Sequence, residues 1–203
     1  MVNKTLGGLQ LVGGSPCLDF INTEGAVRNG PPERIDSYPT LLSWSVLAGV
    51  LSEEEAERTM VTTKARPALS TSVFDRAIKL REALYGIISA TVRGDPAAAA
   101  DRAVFDAELT VARSHQRLVP IDNGWGWEFE GAGADAMLWR LAADASDLLT
   151  SSDVDRVREC SGDTCSWLFV DRSRNRSRRW CDMADCGNRA KARRFYSKKK
   201  DVV

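Results

Sequence analysis

The chain is short of histidine, of long apolar runs and of net charge, and each shortage narrows what it can do. His115 is the only imidazole among 203 residues, and its polar helix-end setting reads as a surface residue rather than a general base. Neither a phosphate-cradling GxxxxGK[ST] nor a GxSxG nucleophile turn occurs, and the pair Gly13-Gly14 alone is weak support for anion binding. Nothing in residues 1–150 assembles a catalytic set, so the chain reads as a non-enzyme. The longest nearly uncharged stretch, Tyr38 to Ser52, contains Thr40, Ser43, Ser45 and Gly49 and falls short of the ~20 apolar residues of a membrane span. Met1 to Gly14 carries only Lys4 as a charge and no sustained apolar core, unlike a signal peptide. The expected compartment is therefore cytoplasmic and reducing, with no membrane partner.

What is present is a charge asymmetry hidden by a balance of 28 basic and 28 acidic residues. Residues 1–150 hold 14 basic and 20 acidic side chains, whereas 151–203 hold 14 and 8. From Arg172 to Lys200 there are 12 Lys/Arg against only Asp182 and Asp185, a density that attracts a polyanion unless the run is simply a solvated tail.

Four of the five cysteines share that end, as Cys160-x4-Cys165 and Cys181-x4-Cys186 with fifteen residues between the pairs. Two short-looped pairs separated in this way suit a closed tetrahedral site for one structural Zn²⁺, with the intervening fifteen forming a short hairpin. Two disulfides are the competing reading, disfavoured in a reducing compartment. Cys17 reads as a buried small apolar residue.

After Cys186 the run CGNRAKARRFYSKKK lacks proline, so a helix can start at the metal. Helical spacing puts Asn188, Ala192 and Phe195 on one face, with Phe195 as its anchor on the zinc core. Arg189, Arg193 and Lys200, flanked by Lys191, Arg194 and Lys198, are left for phosphates or a groove. Upstream, Arg172, Arg174, Arg176 and Arg178 alternate with Ser or Asn, and period two predicts one side of an extended strand or hairpin loop gripping phosphates; Arg179 follows them. Four thiolates around Zn²⁺ carry a net charge of about −2, so Arg178, Arg179 and Arg189 have the alternative role of neutralising the metal site.

The segment CSGDTCSWLFVDRSRNRSRRWCDMADCGNRAKARRFY resembles the CGNR zinc-finger family through both cysteine pairs, WLFVD at 167–171, the arginine run into Trp180, and Cys186-Gly187-Asn188-Arg189 itself. CLDFINT at 17–23, LLSWSVLAGVLS at 41–52, LREALY at 80–85 and the leucine-rich stretch through Ser151 resemble the ABATE domain, a stress-induced transcription regulator module. The two resemblances imply a bacterial, zinc-containing transcription regulator that binds duplex DNA through Arg172, Arg174, Arg176, Arg178, Arg179, Arg189, Lys191, Arg193, Arg194 and Lys198. Arg189 or Arg193 is the best candidate for guanine readout. A reader of palindromic sites would pair as a homodimer, an interface the helical part could supply. An adaptor for an acidic protein, and an RNA binder stacking bases on Trp180, Phe195 and Tyr196, stay open.

The remaining patterning is mostly helical. A strand-like Leu9–Val12 stops at Gly13-Gly14. A helix from near Pro39 closes at Gly49, and Ser52-Glu53-Glu54-Glu55 reads as a capping box. Val73, Ala77, Leu80, Leu84, Ile87 and Ile88 mark a core helix of about 20 residues ending at Gly94. Asp95-Pro96 predicts the cap of another helix running to about Ser114. Two strands follow around Asp122-Asn123-Gly124, with Trp125, Trp127 and Phe129 on one side, and a helix through Leu149 ends at Ser151-Ser152. The expected fold is mainly α with a small β-hairpin: a helical N-terminal domain, 1–152, followed by a small four-cysteine zinc-finger module, 153–203, made of a short hairpin plus a C-terminal helix. Asn22, Thr23, Arg81, Trp44 and Trp139 are the residues that could orient a small effector in the helical domain. The competing reading is structural, with Asn22 as a helix cap and Asp19 or Glu82 paired to an arginine.

Overall fold

The computed structural model describes residues 10–24 and 33–200. Its helical part begins with a short helix, α1 (Pro16–Ile21), whose N-terminus lacks a cap of its own. The carboxylate of Asp144 serves instead, accepting from the Cys17 amide at 2.8 Å and the Ser15 hydroxyl at 2.5 Å. Helix α2 (Tyr38–Leu47) is capped by Ser37, and α3 (Glu53–Lys64) by the Ser52/Glu55 capping box that the sequence predicts. Between α2 and α3 the chain turns at Gly49, where φ is 70°.

The long α4 (Pro67–Arg93) opens on a proline and closes at Gly94 with φ 76°. The apolar period starting at Val73 marks only its buried stretch, so the helix runs a turn and a half further back than its periodicity shows. The next helix, α5 (Ala99–Ser114), starts later than Asp95-Pro96 predicts. Asp95 is committed to ending α4: its amide donates to Ala90 O at 2.9 Å, the six-to-one bond of a Schellman closure, and its carboxylate accepts from Arg93. Strands β1 (Gln116–Ile121) and β2 (Gly124–Phe129) then form an antiparallel hairpin around the predicted turn, and α6 (Ala136–Thr150) follows.

One apolar core binds the helices, with Leu18, Phe20, Trp44, Leu80, Leu84, Ile88, Met137 and Leu138 all fully buried. A 3₁₀ turn over Ser152–Arg156 leads without a linker into a second hairpin, β3 (Val157–Glu159) and β4 (Leu168–Val170). Successive side chains of a strand point to opposite faces, and here the two faces serve two cores. Val157, Leu168 and Val170 join the helical core, whereas Trp167 and Phe169 pack with Cys160, Cys165, Cys181 and Cys186. The last helix, α7 (Asn188–Lys200), leaves the cysteine cluster through a π-turn over Met183–Gly187.

Two expectations change here. Leu9 lies outside the described residues, and residues 10–12 form no strand; the chain instead meets the edge of β4 at Gly13, whose carbonyl accepts from Val170 N at 2.8 Å. The hairpin of the cysteine module spans the first cysteine pair rather than occupying the whole interval between the pairs, because Cys160 N bonds Trp167 O at 2.9 Å and so closes a knuckle at the end of β3–β4.

Candidate metal centre and basic surface

Cys160 and Cys165 stand in the knuckle that caps the β3–β4 hairpin. Its tightness depends on Gly162, where an added Cβ would lie 3.3 Å from Cys186 Sγ and 3.5 Å from Cys160 Sγ. The second pair is brought in by two backbone links: Ser161 N donates to Arg179 O at 2.8 Å, and Cys181 N points at Cys160 Sγ at 3.4 Å. Asp182 then caps the π-turn by accepting from Ala184 N at 2.8 Å. At Gly187 in that turn the Met183 side chain packs where a Cβ would stand, its Sδ 2.5 Å from that position.

The result is four buried sulfurs all within 4.8 Å of one another. Cys165 and Cys181 are separated by 3.7 Å, Cys181 and Cys186 by 3.8 Å. A regular tetrahedron with Zn–S bonds of about 2.3 Å has edges of about 3.8 Å, so the spacing is that of a Zn²⁺ shell. All five cysteines are unbridged, and the four converge on one point instead of closing as two disulfides. The neighbouring Cys165 thiol, with burial added, pushes Cys160 up to about 11, and Cys160 and Cys165 push Cys181 well above the ordinary thiol range. Thiols crowded like this do not ionise together without a cation between them, which is the donor chemistry of a dication site. Four ligands leave no open position, so the zinc these cysteines hold is structural.

The arginine run is not an extended strand. It is a tight loop wrapped around Asp171, a fully buried carboxylate that accepts from the amides of Ser173 and Arg178, each at 2.9 Å. Arg176 N donates back to Ser173 O, and Arg176 adopts φ 48°. Period-two alternation therefore does not align the arginines. Arg174 and Arg176 are exposed at the loop tip. Arg172 reaches Gly14 O at 3.2 Å and Asp153 at 3.6 Å. Arg178 turns inward, donating to the carbonyls of Trp180 and Cys181 and lying 4.4 Å over the Phe169 ring. Asp171 carried no readable signal beyond an acidic residue ahead of a Ser/Arg-rich loop, and sequence reasoning missed it.

On α7, Arg189 donates to Cys186 Sγ at 3.1 Å and pairs with Asp185 at 3.3 Å, which is the charge-neutralising role. Arg193 pairs with Asp163 of the knuckle. Phe195 is 67% exposed and lies outside the buried cysteine core, so burial on that core is not what holds the helix. These polar links, with Asn188 Nδ2 donating to Ala184 O at 3.0 Å, hold α7 instead. Lys191 and Arg194 are exposed, and the Lys198 side chain lies outside the described residues. A cleft of about 340 Å³ opens between the knuckle and α7, lined by Arg179, Trp180, Arg193 and Arg194 with Ser161, Ser197 and the carboxylate of Asp163 that pairs with Arg193. The fold thus gathers cations from both basic segments around one hollow.

The effector candidates are placed differently. Asn22, 2% exposed, gives its Nδ2 to Leu168 O at 2.8 Å and accepts from Leu168 N at 3.0 Å. Arg81 forms a bidentate pair with Glu33 at 2.8 and 2.5 Å and donates to Thr23 Oγ1 at 3.0 Å. Trp44 is a core side chain against Phe20. Trp139 stacks on His115 at 3.5 Å, so His115 is a half-buried packing residue and not a free surface one. The Asn22 amide, the Thr23 hydroxyl and the terminal nitrogens of Arg81 are spent on protein partners, the indole N–H groups of Trp44 and Trp139 are buried without a hydrogen-bond partner, and the contacts that hold Asn22, Arg81 and Trp139 are three separate sets.

Among the described residues no helix is long and apolar enough to cross a membrane. Comparison with curated proteins gives no match. Two family models match the chain: the ABATE model, described as "putative stress-induced transcription regulator", over residues 14–152, and the CGNR zinc finger over residues 156–199. Both are non-catalytic modules. The first covers more than half of the chain and the second contains all four cysteines, so the chain belongs to the ABATE family and carries a CGNR zinc finger.

Proposed function

We propose that the protein is a DNA-binding transcription regulator whose zinc-ordered module seats a backbone phosphate of duplex DNA in the cleft between the knuckle and α7. The observation that carries this reading is the convergence of Arg179, Arg193 and Arg194 on that cleft. Arginine forks bond phosphate oxygens bidentately, and Ser161 lines the same cleft. Lys191, Arg174 and Arg176, all exposed, extend the basic surface on either side. Arg178 and Arg189 take no part, because their guanidinium groups hold the loop and the cysteine cluster.

With Arg193 already paired to Asp163, the other five outward cations imply that log K falls with log salt at a slope of roughly −4.5. The zinc-loaded protein should bind duplex DNA with that dependence, and Arg179→Ala combined with Arg194→Ala should lower the slope by about 2 at unchanged zinc content. Duplex binding that ignores salt, or that the double variant leaves intact, contradicts the reading. A partner captured in preference to duplex at matched salt, whether single-stranded RNA or an acidic protein, would replace it.

A further inference from the structure

Of the eight large apolar side chains exposed among the described residues, four, Leu118, Ile121, Trp125 and Trp127, stand on the β1–β2 hairpin. The register sorts them. Leu118 lies opposite Trp127, Pro120 opposite Trp125 and Gln116 opposite Phe129, so these six side chains form one face with no charge on it. The other face carries Arg117 and Glu128, and there Ile121 lies across Gly126, whose Cβ would meet it at 3.2 Å. Along the uncharged face the exposure grades outward. Phe129 packs on the helical core, Trp127 is 60% exposed and Trp125 67%. The apolar core therefore continues past the body of the protein as a ledge.

We infer that this ledge is a homodimer interface, packing against the same face of a second copy of the chain. Three features favour a second copy as the occupant. The six side chains carry no charge, and the two cations at the inner end of the face, Arg113 on Gln116 and Arg140 over Phe129, are already paired with Asp147 and Glu55, so a two-fold axis through the ledge opposes no unpaired like charges and the ledge offers a nucleic acid no free cation. The sheet has two strands, and an isolated hairpin is only marginally stable in water, so burial of this face completes it. The area also fits. At about 250 Å² for a whole tryptophan, the two rings expose roughly 300 Å², and Leu118 and Pro120 bring the face to roughly 450 Å², within the range of functional patches on monomers. Two copies bury about 900 Å² through these residues, below the ~1,200 Å² of stable interfaces and in the range of weak, transient ones, so the pair is a weak, reversible dimer.

Such a pair presents two zinc modules related by a two-fold axis, the arrangement that matches a palindromic site. The inference does not depend on DNA binding, because its test reads mass alone. Sedimentation equilibrium of the zinc-loaded full chain, from about 1 to about 200 µM, should show monomer passing to dimer. The W125S/W127S double variant should remain monomeric over the same range, with unchanged helical circular dichroism and zinc content. Leu118→Glu, which sets two like charges across the axis, should give the same result and decides the matter if the double variant fails to fold. A wild-type chain still monomeric at the highest concentration overturns the inference, as does a folded variant that dimerises as tightly as wild type.

Discussion

Replacing Asn22 with alanine tests how the two matched modules are joined. The Asn22 amide completes both hydrogen bonds of the Leu168 peptide, at 2.8 and 3.0 Å, and so imitates a neighbouring strand at the edge of β4. Both residues are buried, Leu168 fully, and water has no access to replace the lost partner. A buried backbone group left unpaired costs about 1–3 kcal/mol, so orphaning one donor and one acceptor should destabilise the fold by about 3 kcal/mol, a large share of the ~5–15 kcal/mol that a domain has. Asn22→Asp should be no better, since a carboxylate keeps the volume but turns an oxygen toward Leu168 O. The assay is urea denaturation followed by far-ultraviolet circular dichroism for the helices and by chelator-detected zinc release for the cysteine module. Because β4 supplies side chains to both cores, the two signals should shift together to lower urea. A loss below about 0.5 kcal/mol, the scale of a surface substitution, would refute the reasoning. So would zinc release that keeps its wild-type midpoint while the helices melt earlier.

Arg81→Met should cost about 2 kcal/mol, less than a wholly buried pair, because Glu33 is 35% exposed and Thr23 Oγ1 keeps its bond to Phe20 O; thermal melting reads it, and Arg81→Lys should rescue only in part because a single ammonium cannot form the fork. Burial raises the Asp19 carboxyl to about 6 against the opposing bond from Gly13 N. The folded state therefore holds a proton that the unfolded chain has released, and stability should decline by about 2 kcal/mol between about pH 4 and pH 6 and then level off. In Asp19→Asn that decline should vanish from the pH series of unfolding midpoints; an unchanged decline assigns it to another group.

Local chemistry made much of this protein readable from its chain. Cysteine spacing, the Ser52/Glu55 box, the left-handed Gly94 and the Asp-Asn-Gly turn act through residues a few positions apart, so each holds wherever the segment lies. The same is true of the alternation in Trp125, Trp127 and Phe129. Where several local signals compete, the reading slips: Asp95 and Pro96 look like a helix start, yet the six-to-one closure of α4 claims the Asp95 amide first. The arginine run slips for a related reason. Alternating residues imply a strand only if the backbone is extended, and a single buried carboxylate, Asp171, bends it into a loop.

What the sequence by itself determined was the set of four metal ligands, the order and type of most elements, the concentration of positive charge beside the cysteines, and membership in two known families. Only the tertiary structure decided what the polar residues are for. Asn22 meets Leu168 across 146 positions, Arg81 meets Glu33 across 48, and Arg179 shares a cleft with Arg194, partnerships without a local signature because they depend on how whole elements pack. Charge alone counts Arg178, Arg189 and Arg194 as equals. Packing turns the first toward backbone carbonyls and the second toward a sulfur, and leaves the third exposed, since each buried acceptor must find a donor before the surface keeps what remains.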